Sequence, residues 1–256
     1  MGVNKITIDG VTKINLLNTD IETAADIPAG KYGYLKTGVL VLGTGENMSS
    51  NPLNGKILAM TGDSIAAGAG TGGTGYGEMI ASANNMTIQN ISEGGGAITP
   101  SQSDFCISTS IASLRADADY VLLEGGFNDS ARMYTLGTLT SGYTDTLDTS
   151  TFAGAFENML KSAIARFPNK KIGYIITHKC IDRFSSMTTG SYYNVAKAAC
   201  EKWGIPYCDL NILCPPLGYI DALSQAYTDD NDGVHPNADG YALFYVPKIT
   251  AWMKTL

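Results

Sequence analysis

Apolar residues recur along this chain with two different periods. Near the start they alternate with polar ones. "KITIDGVTKINL" (Lys5 to Leu16) alternates on both sides of Asp9-Gly10, a dipeptide suited to a two-residue turn, and predicts a β-hairpin. "GYLKTGVLVLGTG" is a second β-rich piece punctuated by glycine, and "GENMSSNPLNG" reads as a linker. From Lys56 onward short apolar runs alternate with helical patterns. "KILAMT", "MTIQNI", "DYVLLEGG", "KKIGYIIT" and "IPYCDL" are the runs. "GYGEMIASA", "TFAGAFENMLKSAIARF", "YYNVAKAACEKW" and "NADGYALFYVPKITAWMKTL" are the helices between and after them. In the second of these, Phe152, Ala155, Phe156, Met159, Leu160, Ala163, Ile164 and Phe167 share one face. Ser150 is placed to cap that helix, Pro168 to end it, and Pro247 to kink or restart the last one.

This order predicts two parts. Residues 1–53 form a small β-rich extension with little core of its own. Residues 54–256 form an α/β domain with a parallel sheet and helices on both faces. Such sheets place their ligands at the carboxyl ends of the strands, so the residues that follow each run matter most. They are Ser64 in "GDSIAAG", Gly94 to Gly96 in "SEGGGAIT", Asn128 in "GGFNDS" and His178 in "THKC"; just before the last helix comes "DGVHPN", with Asp232 and His235.

Gathered on one edge, these groups suit acyl transfer. A serine hydroxyl needs a base to take its proton. His235 can be that base, and Asp232, three residues before it, can orient the imidazole and stabilise its charged form. The oxyanion of a tetrahedral intermediate needs preorganised donors; the amides of Ser64 and Gly95 and the carboxamide of Asn128 can supply them. Gly96 is the alternative to Gly95. Asp63 and Asp129 read as structural. His178 is a tentative substrate contact, as are Tyr134 and Tyr143 in the long connection "ARMYTLGTLTSGYTDTLD".

Composition removes several other readings. The chain carries 17 Lys and Arg against 24 Asp and Glu, a net charge of −7, with no basic cluster to neutralise phosphates, so nucleic acid is not an expected partner. No run is long and apolar enough to span a bilayer, and the start lacks a leader's basic-then-apolar layout, which leaves the compartment open between cytoplasm and a virion or cell surface. The five cysteines contain no C-x-x-C pair and read as free thiols rather than disulfides or a zinc site. Aligning Gly233 with the glycine of an EF-hand loop puts Thr228 first and Asp239 last, so that metal pattern fails. "GAGTGGTGYG" contains G-x-G-x-x-G twice but begins well past the strand end, and reads as a flexible loop beside the site rather than a dinucleotide fingerprint. No metal or cofactor is expected.

"GDSIAAG", "NISEGGG", "GGFND" and "DGVHPN" resemble, in order, the four blocks of the SGNH (GDSL-type) hydrolases. The resemblance runs from about Lys56 to the C-terminus. It implies a three-layer α/β/α sandwich, flavodoxin-like, with a five-stranded parallel sheet. It also implies a catalytic Ser64, Asp232 and His235, with Ser64, Gly95 and Asn128 forming the oxyanion hole. The expected activity is hydrolysis of carboxylic esters through an acyl-enzyme. The long connections are polar and Tyr-rich, which favours short acyl or O-acetyl groups on carbohydrate. The alternatives are a lipase- or thioesterase-type acylhydrolase, or a glycan-binding module that does not cleave. "TAADIPAGKYGYLKTGVLVLGT" is similar to short repeats of phage tail-associated proteins, which implies self-association through residues 1–53.

Overall fold

A computed structural model describes residues 51–100, 105–180, 187 and 190–256, together with four short strands nearer the N-terminus. The chain divides into two compact units, Met1–Asn54 and Gly55–Leu256.

In the first unit, strand β1 (Lys5–Ile8) pairs antiparallel with β2 (Val11–Asn15). Ile8 faces Val11, so two residues turn the chain, as an Asp-Gly hairpin requires. Strands β3 (Tyr32–Tyr34) and β4 (Leu40–Leu42) form a second antiparallel pair. The rest of residues 1–50, including most of the linker stretch, lies outside the described residues.

The second unit is built on five parallel strands: β5 (Ile57–Thr61), β6 (Thr87–Asn90), β7 (Tyr120–Glu124), β8 (Lys171–Ile176) and β9 (Tyr207–Asp209). Their spatial order is β6-β5-β7-β8-β9. The central strands are continuous apolar runs because both their faces are covered. Edge strand β6, with Gln89 and Asn90, is half-exposed.

Strand side chains alternate between faces, and two strands show what covers each one. On β5, Met60 lies against Gly77 of helix α1 (Tyr76–Ala83), whereas Thr61 bonds Ser110 of helix α2 (Ile107–Ser110) at 2.7 Å. On β8, Gly173 lies against Trp252 of the C-terminal helix, whereas the Tyr174 ring packs edge-on against Phe156 of helix α4 (Phe152–Arg166), 4.9 Å between centroids. One layer therefore holds α1 and the C-terminal helix. The other holds α2 and α4, with helix α5 (Ser191–Trp203) packed on α4.

One helix end differs from expectation and another follows it. Thr151, not Ser150, caps α4 by accepting the Gly154 amide at 3.3 Å; the Ser150 hydroxyl turns back to Asp148. Pro247 restarts the last helix as a first-turn proline. Tyr241–Tyr245 widen into a π-turn, and Val246–Met253 continue as α-helix with proline in the first turn. Proline has no amide hydrogen, so the turn before it must bond differently.

Candidate active site

Strand order reverses beside β5, where β6 lies to one side and β7 to the other, and a crevice is expected at their carboxyl ends. Ser64 follows β5, and Asn128 follows β7 in the first turn of the short helix α3 (Phe127–Ala131). Asp232 and His235 come from the loop before the C-terminal helical run.

That loop is tightly closed. The Asp229 amide donates to the His235 carbonyl at 2.8 Å, the Gly233 amide to the Thr228 hydroxyl at 3.1 Å, and the Asp232 amide to the Asp229 carbonyl at 2.9 Å. Asp232 Oδ1 accepts the amides of Val234 and His235 at 2.8 and 2.9 Å. Its Oδ2 is thereby left to the imidazole, with Nδ1 2.5 Å away. With Nδ1 donating, Nε2 offers a lone pair to the Ser64 hydroxyl 2.8 Å away. The hydrogen bond to Asp232 raises the His235 pKa against the opposing effect of burial. Burial pushes the Asp232 carboxyl up, but the His235 ring and the two amides outweigh it and hold it below the ordinary range.

The glycine turn lies across the crevice. The Gly96 amide donates to the Glu93 carbonyl at 3.1 Å, and the Gly96 carbonyl accepts from Asn128 Nδ2 at 2.9 Å. Asn128 keeps a second amide hydrogen. The backbone amides of Ser64 and Gly95 have no hydrogen-bond partner among the described residues. Asp129 ties the turn to α3 by accepting the amides of Ile98 and Thr99 at 2.9 and 2.8 Å.

Three expectations change. His178 is fully buried and does not face the crevice. The Tyr245 hydroxyl donates to its Nδ1 at 2.7 Å, its Nε2 faces the Gly233 carbonyl at 3.4 Å, and burial lowers its pKa to about 4. It is a neutral prop beneath the Asp232–His235 loop. Tyr143 packs edge-on against Trp203 and donates to the Lys202 carbonyl at 3.0 Å. Those residues end α5 and precede β9, so Tyr143 sits at the opposite end of the sheet from Ser64. The glycine run is not a loose loop: its turn is closed by the Gly73 amide on Gly68, and Gly70 approaches the Pro236 carbonyl so closely that a Cβ would stand 2.5 Å from it. Tyr134 stays near the crevice, its amide bonded to the Asp129 carbonyl at 3.0 Å. Most of the connection 181–189 lies outside the described residues.

Sequence reasoning passed over three groups that shape this edge. Arg132 donates to the Gly95 carbonyl at 3.0 Å, and the Tyr241 hydroxyl donates to the Ile65 carbonyl at 2.7 Å. Glu124 is buried behind Ser64; its signal was a carboxylate closing an otherwise apolar strand. All five cysteines are free, four of them buried and Cys106 half-buried. Among the described residues no cluster of His, Cys, Asp and Glu could hold a metal, and no helix is long and apolar enough to cross a membrane.

A hydroxyl, an imidazole and a carboxylate bonded in series, at the carboxyl edge of a parallel sheet, are the arrangement serine hydrolases share, and the family match makes the class a serine ester hydrolase. The chain belongs to the GDSL-like lipase/acylhydrolase family, whose model matches residues 60–243. Solved structures with the same fold include a protein from Lactobacillus plantarum, 23% identical, with a TM-score of 0.68 over 79% of this chain and 98% of that one. A phospholipase A1 from Streptomyces albidoflavus is 14% identical, with a TM-score of 0.53 over 77% of this chain and 99% of its own. An active-site mutant of a family two carbohydrate esterase from Clostridium thermocellum is 14% identical, with a TM-score of 0.54 over 85% of this chain and 68% of its own. No curated protein sequence matches the chain.

Proposed function

We propose that the chain hydrolyses carboxylic esters through an acyl-enzyme on Ser64. The observation that carries this reading is the series Ser64 Oγ to His235 Nε2 at 2.8 Å and His235 Nδ1 to Asp232 Oδ2 at 2.5 Å. Ser64 Oγ attacks the ester carbonyl carbon as Nε2 takes its proton. The carbonyl oxygen becomes an oxyanion held by the amides of Ser64 and Gly95 and by Asn128 Nδ2. Gly95 fits this role better than Gly96, whose amide already bonds Glu93. Collapse breaks the bond to the alcohol oxygen, which takes the proton from His235. A water then gives a proton to Nε2, attacks the acyl carbon, and releases the acid as Ser64 recovers its hydrogen. Throughout, Asp232 holds the ring in one tautomer and offsets its charge.

The substrate reading is a short acyl group, acetyl above all, on a carbohydrate alcohol. The polar, Tyr-containing connection that carries Tyr134 supports it, as does the likeness to a carbohydrate esterase fold. A second reading, a longer acyl chain, is favoured by the exposed Ile212, Leu213, Tyr219 and Ile220 after β9. Turnover of p-nitrophenyl esters of increasing chain length separates the two, with acetyl expected to be preferred. An optimum at eight carbons or more would overturn the short-chain reading. For residues 1–53 we propose a role in self-association.

A further inference from the structure

Behind Ser64, two carboxyl groups meet in the core. Asp63 is 0% and Glu124 1% exposed. They come from adjacent strand ends, β5 and β7. The Asp63 amide donates to Glu124 Oε2 at 3.1 Å, and Asp63 Oδ1 accepts the Ile65 amide at 2.9 Å. The residues on either side of Ser64 are therefore both held by this pair, while the Ser64 amide itself stays unengaged. Gly62 makes the approach possible: a Cβ there would stand 2.6 Å from Glu124 Oε2.

The remaining oxygens, Asp63 Oδ2 and Glu124 Oε1, are buried without a hydrogen-bond partner among the described residues. The Asp63 amide on Glu124 Oε2 holds the two carboxyls side by side. Two facing carboxylates cannot bond; a carboxylic acid and a carboxylate can. A single proton shared by the pair would give each orphan oxygen a partner.

We propose that Glu124 carries this proton and donates it to Asp63, and that the acid pair is a positioning device that sets the Ser64 turn for catalysis. The surroundings favour it. Tyr76 from α1, Tyr241 from the C-terminal run, Tyr174 from β8, Cys180 beyond β8 and Asp129 after β7 are the neutral or acidic groups that act on or feel the pair. His235 is the cation that reaches it, acting on Asp63. Burial raises the Glu124 pKa well above the carboxylate range and raises that of Asp63 to about 6, so Glu124 keeps the proton longer. The Asp63 charge also favours the protonated form of His235.

The effect on catalysis rests on Ser64 being the nucleophile; the shared proton does not, so the test reads the two separately. Glu124→Gln keeps an acceptor for the Asp63 amide and a donor for Asp63 Oδ2, but cannot ionise. A group with a raised pKa stabilises the fold below its ordinary pKa and loses that contribution as pH rises. The melting temperature of Glu124→Gln relative to the unaltered protein should therefore climb steadily from pH 5 to pH 9. A flat or falling difference would mean Glu124 is ionised, and the proposal would be wrong. For the positioning role, kcat of Glu124→Gln should stay within a few-fold at pH 7 and keep its value at alkaline pH where the unaltered enzyme declines. Glu124→Ala should lose up to about 100-fold in kcat, the cost of a reacting group displaced by ~1 Å, with KM little changed. If both variants match the unaltered enzyme in kcat at every pH, the pair does not position Ser64. If Ser64→Ala keeps full activity while the melting-temperature trend holds, the catalytic reading fails and the shared proton stands.

Discussion

Asp232 grips His235 at two points: its Oδ1 accepts the backbone amide at 2.9 Å and its Oδ2 the ring Nδ1 at 2.5 Å. Three residues apart in sequence, the two form a closed unit that aims Nε2 at Ser64. The same contact raises the His235 pKa above the ordinary imidazole value. A general base works only when unprotonated. The acid limb of kcat/KM should therefore lie above pH ~6.5. Asp232→Asn removes the charge that favours the imidazolium, so the limb should move to lower pH while kcat falls about 10⁴-fold. A pH–rate profile of both proteins checks direction and size. A limb that stays in place would separate it from His235.

Ser64→Ala should abolish ester turnover by roughly 10⁴-fold or more, since nucleophile and base act as one unit. Its melting temperature should change little, because Ser64 is only half-buried and, among the described residues, its side chain bonds His235 alone. Single-turnover assays with p-nitrophenyl acetate would show the acyl-enzyme burst disappear.

Asn128→Ala should lower kcat by about 10²–10³-fold with a small effect on KM, the signature of a donor that acts on the developing oxyanion. Asn128 also bonds the Gly96 carbonyl. A loss confined to KM would make it a ground-state contact.

Asp129→Ala tests the tie between α3 and the glycine turn. It leaves the buried amides of Ile98 and Thr99 without an acceptor, which should cost about 2–4 kcal/mol. The urea midpoint should fall, and activity with it as the turn carrying Gly95 loosens. Unchanged stability would show that the turn is held by its other contacts.

Residues 1–53 can be tested by size exclusion. If they associate, the full chain should elute as an oligomer and a chain starting at Asn54 as a monomer with ester hydrolysis retained. Identical elution would remove the proposed role.

Much of the catalytic edge was legible because parallel strands make it so. Each apolar run ends at the same edge, so residues placed after the runs can be listed before their distances are known. Ser64 and Asn128 are of this kind, and Asp232 and His235 stand just before the last helix, which starts from the same edge. His178 follows the same rule and fails it, because Tyr245 from a distant helix offers its ring a bond in the core. Tyr143 lies in a long connection, and its length alone left open which end of the sheet it would reach; packing against Trp203 decided that.

By itself, the sequence determined the order of strands and helices, the five-stranded class of sheet, and the short-range unit Asp232–His235, whose members meet through neighbouring bonds. Such features depend on period, turn chemistry and spacing, all of which are local. Only the tertiary structure decided that Glu124 stands behind Ser64, that Gly95 rather than Gly96 has an unengaged amide, and that the glycine run packs on Pro236. These depend on which strand ends become neighbours. Residues 63 and 124 meet because β5 and β7 lie side by side, and no local pattern around either one specifies that.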